Sequence, residues 1–126
     1  MWIFFLLGRI LFGGYFLLSG IKHFTNAGIL TEYADSKKVP LARAAVLAAG
    51  ILLLIGGAGI LLGIFVDMAV AALVVFLLTV SIMVHNFWEE TGLERTANLI
   101  NFQKNMALLG AALLVLFIPT PWPFSL

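Results

Sequence analysis

Arg9 is the side chain most able to do chemistry in this sequence, because it lies inside an apolar stretch that runs from Trp2 to Phe24. A guanidinium stays protonated in proteins, and burying it in a membrane costs at least about 2.5–3.5 kcal/mol on insertion scales. Arg9 must therefore face protein, water or a bound anion. We favour a binding site for a small anion or a quinone. In the alternative interpretation, Arg9 pairs with Asp67 or with carbonyl groups at a helix end and only fixes packing.

Two histidines close the first and third apolar stretches, His23 and His85. With a nearby carboxylate they could hold a metal, or they could exchange protons at the mouth of a cavity. Their spacing matches no strong metal-ligand motif. We therefore predict capping or hydrogen-bonding roles and no metal site.

A ladder of amides lies beside a lysine in the fourth apolar stretch. Asn98, Asn101 and Asn105 are spaced to share one helical face, and Lys104 borders it. If this face is buried, it would bind the other helices or the polar head of a ligand; at the membrane interface it would be solvated. Both alternatives stay open. The predicted ligand-binding residues are Arg9, His23, His85, Asn101, Lys104 and Asn105, and no catalytic residue is predicted.

The composition predicts an all-α integral membrane protein, because 63% of the 126 residues are hydrophobic and only 10% are charged, against about 25% charged in ordinary soluble domains. Four apolar runs reach or approach the ~20 residues that cross a bilayer. We predict one domain, residues 1–126, folded as a four-helix bundle with spans near 2–24, 41–64, 67–85 and 99–118. A short interfacial helix is expected between the first two spans, within residues 27–39.

Basic residues near the span ends predict the orientation. They gather at one end of the bundle, at Lys22, Lys37, Lys38, Arg43 and Arg95. The positive-inside rule places that end in the cytoplasm and both termini outside. The scattered basic residues indicate no nucleic-acid partner.

Small residues predict which helix faces pack together. Gly13 and Gly20 lie on the helical stripe that starts at Arg9, and Gly59 and Gly63 form a G-x-x-x-G pair in the second span. Glycines allow membrane helices to approach closely. We therefore predict that leucine at Gly13 or Gly57 disrupts the bundle.

Several short sequence segments occur in a fixed order almost from end to end of the chain. They are Gly8-Arg9-Ile10 with Phe12, Ser19-Gly20-Ile21-Lys22-His23-Phe24, Tyr33-Ala34 before Pro40, Gly56-Gly57 with Gly63, His85-Asn86-Phe87-Trp88, and Phe102-Gln103-Lys104-Asn105. In this order and spacing the chain resembles the DoxX family of small bacterial membrane proteins. The resemblance implies a four-helix membrane bundle in the bacterial inner membrane. This chain departs from the family pattern at one place in the second span. Many relatives carry an acidic residue before the paired glycines, where this chain has Leu53 and apolar neighbours.

Three functions fit these observations. The first is an accessory subunit of a redox complex, which binds a quinone or small anion near Arg9 while other membrane or peripheral proteins supply the electrons. This function is favoured because some relatives are subunits of membrane oxidoreductases. The second is a non-enzymatic scaffold or lipid-binding subunit of a larger assembly. The third is an element of a small anion transporter, which with four spans would need to form a homo-oligomer. The sequence does not decide whether the chain is an enzyme.

Overall fold

The computed structural model describes residues 2–126, and these residues form an all-helical fold. The helices are α1 (Trp2–Thr25), α2 (Ala27–Ser36), α3 (Ala42–Leu62), α4 (Val66–Met83) and α5 (Gly92–Leu116), with a short 3₁₀ helix, Phe87–Glu89, between α4 and α5. Four segments are long and apolar enough to cross a membrane: α1, α3, α5, and α4 with its continuation to Glu89. The predicted fold class, including the short helix between the first two spans, is confirmed.

The spans alternate in direction, so the bundle has two distinct ends. We call the end with residues 26–41 and 84–91 the connection end. The other end holds the α3–α4 turn, residues 63–65, and the C-terminal segment, residues 117–126; we call it the tail end.

Backbone approaches at glycine bring α1 and α3 together. A Cβ atom added to Gly13 would lie 2.8 Å from the Leu61 nitrogen, and one added to Gly57 would lie 2.4 Å from the Leu17 nitrogen. Both distances are shorter than side-chain carbons tolerate, and the obstructing atoms belong to backbone. The stripe predicted from Arg9 is buried as expected, at Gly13, Phe16 and Gly20.

Gly59 and Gly63, the G-x-x-x-G pair, have two different structural roles. Gly59 packs against α4, because an added Cβ atom would lie 2.5 Å from the Ala69 Cβ atom. Gly63 instead ends α3 in the left-handed conformation, with φ +72°, which glycine adopts without the Cβ clash of other residues. The turn that follows is short, so α3 and α4 form a tight hairpin.

α5 begins at Gly92, earlier than the start near Leu99 that the apolar run predicts. Hydropathy marks the part of a helix that suits lipid, whereas the helix itself is set by backbone hydrogen bonds and starts after Thr91. The polar residues Asn98 to Asn105 therefore lie along a continuing helix. They are carried from the connection end into the bundle.

The helices pack in the order α1, α3, α4 and α5, with α2 against α3. α3 packs against α1, α2 and α4, and α4 packs against α5. Within residues 2–126, no Cα atom of α1 lies within 8 Å of a Cα atom of α5. The buried core follows this arrangement, with Phe16, Leu53 and Leu73 at its centre.

Candidate functional site

Arg9 lies at the tail end, buried with 3% of its surface exposed. Its guanidinium donates four hydrogen bonds of 2.5–3.3 Å to backbone carbonyl oxygens. Two acceptors belong to the last turn of α3, Ile60 and Leu61, and two belong to the C-terminal segment, Pro123 and Phe124. Arg9 thus joins α1, the end of α3 and the tail. We call this cluster the arginine clasp.

Asp67, considered above as a partner for Arg9, does not form an ion pair with it. Asp67 is exposed and forms no ion pair in the described part of the chain. The carbonyl groups that end α3 lack helical partners and carry the negative end of the helix dipole, so they accept from the guanidinium and offset its charge. This is the helix-end alternative considered for Arg9.

The tail that the arginine clasp holds contains Trp122, which is 3% exposed and packed edge-on against Phe5 with ring centroids 5.2 Å apart. The Arg9 guanidinium carbon lies 5.5 Å from the centroid of the Trp122 ring. The sequence predicts Trp122 at the membrane interface, because tryptophan is common there. In the structure the ring is buried against α1 at the tail end, where it covers the arginine.

A cavity of about 570 Å³ lies deeper in the bundle, towards the connection end. Its walls come from all five α-helices and are mostly apolar. The polar side chains that line it are Tyr15, Ser19, His23, Tyr33, Thr79, His85, Lys104 and Asn105. No Asp or Glu of residues 2–126 lines it, and Leu53 is fully buried in its wall. A small number of polar groups in an apolar cavity of this size is typical of ligand pockets.

The two histidines lie in this cavity, and each has one ring nitrogen occupied. His23 Nδ1 lies 2.8 Å from the Ser19 carbonyl oxygen, which can only accept, so Nδ1 carries the hydrogen. His85 Nδ1 lies 3.1 Å from Asn98 Oδ1. In a neutral ring with Nδ1 protonated, Nε2 is a free acceptor. Neither Nε2 atom has a hydrogen-bond partner among the described residues, so both are open to a ligand.

Asn105 and Lys104 reach the same cavity from α5. Asn105 is 5% exposed, and its amide forms no hydrogen bond within residues 2–126. Lys104 is exposed at the cavity edge, and its Nζ donates to the Tyr15 hydroxyl at 3.4 Å. Tyr15 is a residue that the sequence prediction missed. A tyrosine in the middle of an apolar span was the available signal.

The predicted ligand-binding residues therefore separate into two places. His23, His85, Lys104 and Asn105 line one cavity. Arg9 lies in the arginine clasp, 14 residues before His23 and so about 21 Å away along α1 at ~1.5 Å per residue. Asn101 is half-buried on α5 and does not line the cavity. The amide ladder divides as well, because Asn98 hydrogen-bonds His85 while Asn105 faces the cavity.

An ion pair between Lys37 and Glu90 crosses the connection end and ties the segment after α2 to the segment before α5. The hydrogen bond from Lys37 lowers the pKa of the Glu90 carboxyl. Tyr33 and Pro40, near this pair, form part of the cavity wall. The ion pair thus fastens the two segments that border the cavity at this end.

Comparison with known proteins identifies the family. The DoxX family model matches residues 4–86, which include α1 to α4 and both histidines. Neither the curated proteins nor the solved structures searched give a match to this chain. The match covers well over half of the sequence and ends before α5, the last of the four membrane-spanning segments. The chain belongs to the DoxX family of membrane proteins.

Proposed function

We propose that this protein is an accessory subunit of a membrane redox complex and that its cavity holds a quinone. The observation that carries the proposal is the Asn105 side chain, which lines a mostly apolar cavity and forms no hydrogen bond to another described side chain or backbone group. A ligand can place a carbonyl oxygen against the Asn105 NH₂ group. Without that donor, the ligand carbonyl would be left unpaired among apolar walls, at a cost of about 1–3 kcal/mol.

The remaining lining suits both redox states of a quinone. A quinone accepts hydrogen bonds at its carbonyl oxygens, which Asn105 and the hydroxyl of Ser19 can donate. A quinol donates hydrogen bonds from its hydroxyl groups, which the free Nε2 atoms of His23 and His85 can accept. The flat ring and its hydrocarbon tail fit apolar walls. We propose this site in preference to one at Arg9, because backbone carbonyls accept from four of the five guanidinium N–H donors.

The electrons in such a complex would come from a partner protein. Cysteine is absent from the chain, so it offers no thiol relay and no thiolate ligands for an iron–sulfur cluster. The role that we propose is therefore to bind and orient the quinone.

Equilibrium binding of a short-tailed ubiquinone to the purified protein in detergent tests this function. We expect saturable binding that Asn105→Leu weakens about 5- to 150-fold, the equivalent of ~1–3 kcal/mol. Gln103→Leu is the matched control, because Gln103 is an exposed amide two residues away on the same helix. Absence of binding by the wild type, or equal affinity in Asn105→Leu, would refute the proposal.

We also propose that the connection end faces the cytoplasm of a bacterial cell and that both termini lie outside the inner membrane. The support is the set of basic residues at or near that end, including Lys22, Lys37 and Arg43. Cysteine introduced singly at Ser125 or Ser36 can be labelled in intact cells with an impermeant reagent, since the chain has no cysteine of its own. Labelling at Ser36 and not at Ser125 would invert this orientation.

A further inference from the structure

Exposed side chains of α1 and α5 lie at one edge of the cavity lining, and we call this edge the mouth. It lies between α1 and α5, whose Cα atoms do not approach within 8 Å in the described chain. Tyr15 of α1 and Lys104 of α5 face each other across it, and both also line the cavity. Tyr15 is 45% exposed. We define this mouth by Tyr15 and Lys104.

Lys104 brings a positive charge to the mouth that the protein does not neutralise. Its Nζ atom lies 3.4 Å from the Tyr15 hydroxyl oxygen and 5.9 Å from the centroid of the Tyr15 ring. No described carboxylate lines the cavity, and the salt bridge within residues 2–126 joins two other residues, Lys37 and Glu90. Asn105 beside it is neutral. The local charge is therefore net positive.

The depth of Lys104 makes this charge costly in lipid. Lys104 lies six residues after Asn98, which contacts His85 at the connection end, so its Cα atom is about 9 Å further along the helix at ~1.5 Å per residue. A lysine at this depth can extend its ammonium group back towards the headgroup region. An anionic group at the mouth would meet it there and remove the cost of an unpaired charge.

We infer that the mouth binds the phosphate of an anionic phospholipid. Lys104 Nζ and the Tyr15 hydroxyl hydrogen, which is free when the hydroxyl oxygen accepts from lysine, donate to the phosphate oxygens. One acyl chain follows the gap between α1 and α5. A phospholipid is favoured because the mouth opens sideways to the bilayer, where such lipids are present at high concentration. This site goes beyond the quinone proposal and does not depend on it.

Native mass spectrometry of the protein in detergent, supplied with equal amounts of phosphatidylglycerol and phosphatidylcholine, tests the inference. One basic residue near an anionic membrane surface contributes about 1 kcal/mol, which corresponds to a roughly fivefold preference. We expect the wild type to retain phosphatidylglycerol over phosphatidylcholine by about that factor. Lys104→Gln should lose the preference, and Tyr15→Phe should reduce it. Lys22→Gln should keep the preference, because Lys22 is an exposed lysine at the connection end of α1, far from the tail.

Three results would overturn the inference. They are equal lipid ratios in the wild type and Lys104→Gln, an equal loss in Lys22→Gln, or Lys104-dependent retention of added palmitate in place of phospholipid. Thermal unfolding of each variant checks that it is folded. The phosphatidylglycerol preference of Asn105→Leu, measured in parallel, separates the two proposals: we expect this preference to persist in that variant because Lys104 and Tyr15 are intact.

Discussion

Replacing Arg9 by methionine tests the arginine clasp. The substitution removes a charged group that donates to four backbone carbonyl oxygens and keeps an unbranched apolar side chain in its place. The two tail acceptors, on Pro123 and Phe124, can turn to water when the tail detaches. The two acceptors at the end of α3 stay in the bundle and lose their partners, at about 1–3 kcal/mol each.

We therefore expect Arg9→Met to lower the free energy of unfolding by about 2–6 kcal/mol, measured by titration with SDS from a mild detergent. Arg9→Lys should lose part of this amount, because three donors on one nitrogen cannot reach acceptors that a planar fork contacts. Lys22→Met is the matched control, since Lys22 is an exposed cation on the same helix. It should change stability by no more than about 0.5 kcal/mol.

The tail gives a second readout of the same substitution. A cysteine introduced at Ser125 should react faster with a thiol reagent in Arg9→Met than in the parent, because Arg9 no longer holds the carbonyl groups of residues 123 and 124. Stability within about 0.5 kcal/mol of wild type, together with an unchanged labelling rate, would refute the arginine clasp.

Two further predictions concern helix packing and pH. Gly13→Leu should lower the thermal unfolding temperature strongly, since its Cβ atom meets the backbone of α3 at 2.8 Å, whereas Gly14→Leu should be tolerated because no atom lies within 4 Å of that position; equal effects would contradict the packing. The pKa of Glu90 is lowered in the folded protein by Lys37, so the stabilisation by this ion pair is present above the usual glutamate range and is lost as pH falls through the lowered pKa. Unfolding temperature should therefore fall more steeply with acidification in the wild type than in Glu90→Gln, while Glu89→Gln should behave as the wild type.

The fold was predictable from the sequence because hydropathy and glycine spacing are local signals. The apolar runs give the four spans, and the small residues near Gly13 and Gly57 indicate where α1 and α3 meet. The start of α5 was less predictable, since Asn98 to Asn105 are polar residues in a continuing helix. Apolarity reports how well a segment suits lipid, and a helix can extend beyond that segment.

The candidate site was predictable only in part. Protein was one of three environments considered for Arg9, beside water and a bound anion. Its acceptors are backbone carbonyls that every residue carries and that no sequence pattern distinguishes. The burial of Trp122 could not be predicted for a related reason, because it depends on the tail folding back onto α1. His23, His85 and Asn105 were chosen for their chemistry, and the fold brings them to one cavity that no local pattern describes.

Photo-crosslinking with a photoreactive quinone, followed by mass spectrometry of the labelled peptides, tests the central claim most directly because it reports where the ligand lies. We predict labels on peptides that line the cavity, around His23, Phe76 and Asn105, and loss of those labels when an unreactive quinone competes. Labels spread over the outward faces of α1 and α5, at exposed positions such as Leu11 and Leu114, and unaffected by competitor, would contradict the proposal that this cavity is a quinone site.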